Sequence, residues 1–367
     1  MLIITVLISA IYFSLIALFI KGWNQIPTFH FSADQPTKTG ISVVVACRNE
    51  AENLPTLLEA LKMQTLKSFQ LILIDDNSTD STFEIMKQAE KEFGNILVLK
   101  SENYGKKQAL KLGIENATND LIVTTDADCS PTPHWLETII QFQEQTKSDL
   151  IIGPVAIHPA YTLFEKMQQL EFLSLVSSGA GAVGIGQAIM CNGANLAFQK
   201  QTWLDNFVKL QTKSNTGDDI FLLHALKKQN GNINFLKSKQ AIISTKACKS
   251  TQSFFEQRQR WASKAPLFTD FATIVVAMIV FVVTLLQLIL LFSSFVKPEF
   301  FLYLAIITIS KIVIDSFFLL QSSTFFGQKI TAKTFFTLAV AYPIYIVYSA
   351  ISGVIKGFSD IRRGNFQ

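Results

Sequence analysis

Apolar residues in this chain follow two regimes. From Met1 to Ile20, and again from Phe271 onward, they run almost unbroken over lengths that match a bilayer; between those regions, short apolar runs alternate with amphipathic ones. Ile41 to Cys47, Leu71 to Ile74, Asn95 to Leu99 and Leu121 to Thr124 do not alternate with polar residues, so they predict strands buried on both faces. Helical patterns follow them: LPTLLEAL with Pro55 near its start, a segment through Glu90 that Ser78, Thr79 or Asp80 can cap, and one beginning near Gly105, Lys106 and Lys107. Strand and helix in alternation predict an α/β fold, Rossmann-like, with a mostly parallel sheet and its ligand at the strands' C-terminal edge. Leu150 to Val155 reads as a further strand, and Tyr161 to Ser178 as a helix with Leu163, Met167, Leu170 and Ser174 in one stripe. Gly179, Gly181 and Gly184 spell G-x-G-x-x-G but follow that helix rather than a strand. They are read as a mobile loop over the site, not as a dinucleotide fingerprint. CNGANLAF returns the chain to a strand or turn where Asn192 or Asn195 can face a sugar or acceptor, and Gly217, Asp218 and Asp219 open a helix over Ile220 to Lys228.

The long apolar runs make this a multi-pass membrane protein. Residues 1–21 form an uncleaved anchor closed by Lys21 and Trp23, and 22–40 a polar linker. Phe271 to Phe295, Phe300 to Leu320 and Phe335 to Ile355 are three C-terminal spans. Lys311 and Asp315, four apart, can pair on one helix face within the second. Lys21 favours a cytoplasmic middle domain and hence the inner (cytoplasmic) membrane, but three further crossings leave Lys356, Arg362 and Arg363 outside. The positive-inside rule therefore makes one segment re-entrant or interfacial, with Phe300 to Leu320 the weakest crossing.

Composition agrees: 49% of the 367 residues are hydrophobic and 16% charged, with a mean hydropathy of +0.32. The net charge of +4 comes with no basic and aromatic face for nucleic acid, so the basic excess suits a membrane surface. Cys47, Cys129, Cys191 and Cys248 are scattered singly and read as reduced thiols.

Candidate chemistry gathers after the strands. In LIVTTDAD the carboxylates of Asp126 and Asp128 are two residues apart, so in extended chain both point to one side, about 6.5 Å apart, and can serve one hard divalent cation and the phosphate it carries. Glu50, Asp75 and Asp76, and Lys106 follow the other strands and converge on the same edge. A carboxylate can accept from a base N–H or a ribose hydroxyl, while lysine and metal neutralise phosphate, which together describe a nucleotide-diphosphate site. Each of these residues alone also reads as a turn former, a cap or a solvated charge, and the Asp218 and Asp219 pair as an ordinary helix start. Gln257, Arg260 and Trp261 lie on a polar helix just before the C-terminal apolar third.

In order and spacing, ACRNE, ILIDDNSTD, YGKKQAL, TTDAD, GDD and QRQRW resemble the membrane-bound family 2 glycosyltransferases, which include cellulose, chitin, hyaluronan and poly-N-acetylglucosamine synthases and ceramide glucosyltransferases. The resemblance spans about residues 40 to 265. It implies a glycosyltransferase A-type catalytic domain over 41–250, an interfacial helix with Q-x-x-R-W over 251–267, a transmembrane region over 271–356 and a polar tail over 357–367. By the same resemblance Glu50 and Asp76 hold the uridine, Lys106 lies near the nucleotide, and Asp128 ligates Mg or Mn. Asp219 is the base on the acceptor hydroxyl, and Gln257, Arg260 and Trp261 lie by the diphosphate and acceptor. Ala46 departs from the proline that many members carry. One carboxylate base and no evident nucleophile imply inversion of the sugar carbon. The expected reaction moves a sugar from a nucleotide-diphosphate sugar to a lipid or lipid-linked acceptor. A processive synthase of the poly-N-acetylglucosamine type or a non-catalytic sugar-nucleotide-binding subunit are the alternatives, and an oligomer or partner subunit is left open.

Overall fold

The computed structural model describes residues 1–210 and 217–363. The chain divides into two compact units: one of Met1–Ile26, Ala160–Ile189 and residues 247–363, the other of Pro27–Pro159 and Met190–Lys246.

The second unit is built on a seven-stranded sheet. β1 (Ile41–Cys47), β2 (Gln70–Asp75), β3 (Ile96–Lys100) and β4 (Leu121–Thr124) alternate with α2 (Leu54–Lys62), α3 (Thr82–Glu92) and α4 (Lys106–Glu115). Across the sheet the order is β3-β2-β1-β4-β8-β6-β9, where β8 is Leu196–Gln199, β6 is Leu150–Ile152 and β9 is Ile233–Phe235. The first four run parallel, β8 is antiparallel to both of its neighbours, and β6 pairs parallel with β9. Continuous apolar runs become central strands because both faces are covered: Val43, Val44, Val45, Ile72, Leu73, Ile74, Ile122 and Val123 are all at 0% exposure. The parallel directions bring the C-terminal ends of β1, β2, β3 and β4 to one edge. α5 (Trp135–Thr146), α7 (Lys200–Leu210) and α8 (Asp218–Lys228) complete the unit.

Leu150 to Val155 is not one strand. Gly153 and Pro154 break it into β6, in the large sheet, and β7 (Val155–Ile157), which joins β5 (Ser130–Pro131) and β10 (Ile243–Thr245) in a three-stranded sheet. Proline has no N–H for the ladder, and its carbonyl is turned instead to Asn195 Nδ2, 2.8 Å away.

The first unit is helical: α1 (Leu2–Gln25), α6 (Leu163–Gly184), α9 (Thr251–Ala262), α10 (Phe271–Ser294), α11 (Glu299–Phe326) and α12 (Ala332–Arg363). Of these, α1, α10, α11 and α12 are long and apolar enough to cross a membrane. Gly179, Gly181 and Gly184 are not a loop; they lie in the last turns of α6, where Gly181 and Gly184 pack on α1. A Cβ on Gly181 would meet the Phe19 carbonyl oxygen at 2.3 Å, and one on Gly184 the Gly22 carbonyl oxygen at 2.1 Å, so only glycine admits two backbones this close. Lys311 and Asp315 do pair on α11, and Tyr12 of α1 joins them, its hydroxyl 2.8 Å from Asp315 Oδ1 and 2.9 Å from Lys311 Nζ.

Candidate active site

The carboxylates after β4 and the lysine after β3 meet. Lys106 Nζ is ion-paired with Asp126 Oδ1 at the sheet edge. A lysine in the first helical position of α4 opposes the helix dipole, so its presence there calls for nearby negative charge. Burial alone would lower its pKa, but the charges of Asp126, Asp218 and Asp219 outweigh that and hold its ammonium group well above the usual range. The turn into α4 passes through Gly105 at φ 113°, a conformation that suits glycine, and its N–H donates to Asp76 Oδ1 at 2.9 Å. Lys106 is thereby tied to the end of β2 as well as to the end of β4.

Asp128 is largely enclosed. Its Oδ2 accepts from the Thr245 hydroxyl at 3.1 Å, and the Cys129 Sγ lies 3.5 Å from Oδ1. Burial, and then the neighbouring charge of Asp126, push its carboxyl pKa up. Glu50 shares this environment: burial raises its pKa, a hydrogen bond from Asn53 Nδ2 at 2.7 Å partly offsets that, and the charges of Asp128, Asp126 and Asp80 add to it. Glu50, Asp126 and Asp128 thus act on one another electrostatically, as their order after successive parallel strands requires.

Asp75 and Asp76 end β2 buried, at 0% and 5% exposure. Asp75 Oδ1 accepts from the Ser78 N–H at 3.1 Å, while Oδ2 has no hydrogen-bond partner. Asp218 and Asp219 sit in the first turn of α8, where negative charge favours the helix, and Gly217 precedes them with φ 89°. Asp219 Oδ1 accepts from the Ile220 N–H at 2.8 Å and Oδ2 from the Gly193 N–H at 3.2 Å, so the turn that leads into β8 fixes this carboxylate. Gly193 also lies in contact range of Asp218.

Asn195 does not face a ligand. At 1% exposure it accepts from Trp135 Nε1 at 3.0 Å and donates to the Pro154 and Ala241 carbonyls, while Asn192 caps the short turn through the Ala194 N–H.

Hard oxygen donors two residues apart suit Mg or Mn, and the mutual repulsion that raises the Asp128 pKa is what a divalent cation relieves. Among the described residues no set of three or more His, Cys, Asp or Glu is arranged to hold a metal ion. Asp126 and Asp128 would supply only part of a cation's ligands, and Mg usually takes the rest from substrate phosphates and water.

Gln257, Arg260 and Trp261 belong to α9 in the helical unit. Arg260 is exposed, and it is Arg258, between Gln257 and Arg260, that is buried. Arg258 Nε donates to both carboxylate oxygens of Glu171 on α6, and its guanidinium lies over the rings of Phe254 and Trp261, 4.3 and 4.5 Å from their centroids. Gln257 Oε1 accepts from Arg258 and from the Cys248 thiol at 3.5 Å. The sequence flagged neither Glu171 nor Thr245. Arg258 lay inside a recognised motif, but Thr245 is 117 positions from the carboxylate it binds and carries no local signal.

The C-terminal ends of the four parallel strands thus carry Glu50, Asp76, Lys106, Asp126 and Asp128 in or just after them. Residues 42–207 match the model of the family described as Glycosyl transferase family 2. The chain is 32% identical over 146 residues to the undecaprenyl-phosphate 4-deoxy-4-formamido-L-arabinose transferase of Photorhabdus laumondii, covering 38% of this chain and 44% of that one. Its Yersinia enterocolitica counterpart is 34% identical over 147 residues with the same coverage, and glycosyltransferase AglE of Haloferax volcanii is 31% identical over 145 residues, 36% of this chain and 48% of that one. The chain thus spans about half the length of these curated relatives. The solved structure of the mannosyltransferase PcManGT from Pyrobaculum calidifontis, in complex with GDP-Man and Mn2+, matches over 97% of this chain and 98% of that one with a TM-score of 0.57 and 14% identity. That likeness is one of fold.

Proposed function

We propose that the protein is an inverting glycosyltransferase that moves a sugar from a nucleotide-diphosphate sugar, a UDP-sugar by the family resemblance, to a lipid or lipid-linked acceptor in the inner (cytoplasmic) membrane. The observation that carries this reading is the convergence of Asp126, Asp218 and Asp219 on Lys106 at the sheet edge, with Glu50 and Asp128 in the same field. The lipid acceptor is supported by four helices able to cross a membrane and by relatives named for transfer to undecaprenyl phosphate.

In this reading Glu50, Asp75 and Asp76 receive the nucleoside through N–H and hydroxyl donors. Asp128, with Asp126, holds Mg or Mn, which when bound supplies positive charge to the leaving diphosphate. Lys106 adds a fixed cation beside it, and Arg260, Gln257 and Trp261 serve the diphosphate and acceptor as the family resemblance assigns them. Asp219, or Asp218 beside it, takes the proton that the acceptor oxygen carries, from a hydroxyl or from a singly ionised phosphate, as that oxygen attacks the anomeric carbon from the face opposite the leaving group. The Gly193 and Ile220 N–H groups keep the Asp219 carboxylate oriented.

The test is detergent-purified protein with Mn or Mg and a panel of UDP- and GDP-sugars, each with and without membrane lipid, following nucleotide release and product mobility. Lipid-dependent release giving one discrete glycolipid supports the reading. A ladder of polymer points to a processive synthase, and nucleotide binding without release points to a non-catalytic subunit.

A further inference from the structure

Within the helical unit, α6, α9 and α12 enclose a cavity of about 230 Å³. Its walls are apolar and rich in rings: Phe164 and Met167 from α6, Phe254 and Phe255 from α9, Leu338 and Ala341 from α12. Its only charged lining residue is Glu171, and that charge is already neutralised by Arg258. An anionic head group would meet a carboxylate there with no cation to spare, so the cavity suits an uncharged chain rather than a phosphate.

The cavity is continuous with surface that faces lipid. Ile344 lines it yet is 56% exposed, and on the same helix Phe336, Val340 and Tyr348 are 58%, 74% and 58% exposed. α12 is one of the helices apolar enough to cross a membrane, so these side chains meet hydrocarbon. Pro343 lies inside the continuous helix α12 between Ala341 and Tyr345, where it supplies no N–H to the helix ladder beside the opening. A mostly apolar cleft with a neutral polar end, open sideways to the bilayer, has the make-up of a ligand site.

We propose that this groove holds the polyisoprenyl chain of the acceptor lipid, and this rests on the lipid-acceptor reading given above. Flat rings on two of its walls suit the planar, methyl-branched isoprene unit. The groove then selects the acceptor by its chain, while the sheet unit handles the donor.

Two measurements test it. Ala341→Phe fills the groove, and its expected effect is a rise in KM for undecaprenyl phosphate of about tenfold or more. UDP binding, which reports a folded protein, stays unchanged, and Val340→Phe on the exposed side of α12 has no effect. In phosphatidylglycerol vesicles, a benzophenone-bearing polyprenyl phosphate is expected to label wild-type α9 and α12, with undecaprenyl phosphate competing and added phosphatidylglycerol not. Labelling that is absent from these helices, or that diacyl lipid competes equally well, overturns the proposal. Lipid-dependent transfer that Ala341→Phe leaves unchanged overturns the groove alone; transfer by the wild type that needs no lipid removes the acceptor reading and the groove's role with it.

Discussion

Arg258 Nε lies 3.0 and 3.2 Å from the two carboxylate oxygens of Glu171, and both residues are buried, while Arg260 two positions on is exposed. The two arginines of one motif are therefore expected to fail differently. Arg258→Ala leaves Glu171 buried and uncompensated, and unfolding should come earlier by on the order of 3–5 kcal/mol. Arg258→Met with Glu171→Met should recover much of that loss. Arg260→Ala is expected to unfold like the wild type and to lose transfer. Thermal unfolding read beside turnover separates the two.

Asp128→Asn should stabilise the protein when no metal is present. A carboxyl whose pKa is raised on folding binds more protons in the folded state, so its contribution to stability falls as pH rises from the ordinary carboxylate pKa through the raised one. Above the raised pKa that penalty is present in full, and removing the charge removes it. The wild type should gain melting temperature with added Mn or Mg, and Asp128→Asn should gain little; calorimetry with and without metal checks both.

Glu50 carries a pH signature of the same sign. Its pKa is raised by burial, so it is protonated at a pH where ordinary carboxylates are still charged. Donor binding that uses the ionised form is expected to weaken as pH falls through that raised pKa. Glu50→Gln should remove this acid limb, as titration of UDP affinity against pH would read.

Asp219→Asn keeps one amide oxygen for the Ile220 or the Gly193 N–H, which are held by different oxygens of the carboxylate, and cannot take a proton. Transfer is expected to drop by roughly 10² to 10⁴-fold with UDP affinity retained. Wild-type turnover in a folded Asp219→Asn protein would move the base to Asp218 or elsewhere.

Gly181→Val should prevent α6 from seating on α1, since even a Cβ reaches within 2.3 Å of the Phe19 carbonyl oxygen. The expected result is loss of folded protein from the membrane fraction, whereas Gly186→Ala, at a position with open space around it, costs only the strain of its positive φ.

The parallel part of the sheet was legible because β1, β2 and β4 are unbroken apolar runs, and their strand-end acids follow at once. Distance in sequence hid the rest. Gly179, Gly181 and Gly184 have no side chains to show a hydrophobic period, and the helix they fit lies near residue 20. The break at Gly153 and Pro154 was readable from proline alone, but not that the chain there changes sheets, because β7 finds its partner in Ile243 to Thr245. Asn195 looked like a ligand residue for want of its partners Trp135, Pro154 and Ala241, all brought by the fold. In the site, the acids at strand ends were visible, whereas Thr245 and the Gly193 N–H, which fix the orientation of Asp128 and Asp219, were not.

The two units are interleaved along the chain, and this bears on how the protein is made. Ala160–Ile189 leaves the sheet unit half built, with β8, β9 and β10 still to be synthesised, and joins a helical unit of which only α1 then exists. Glu171 emerges 87 residues before Arg258. A nascent chain must hold an unpaired acid on α6 until α9 arrives, which gives membrane-insertion or holding factors a defined interval in which to act.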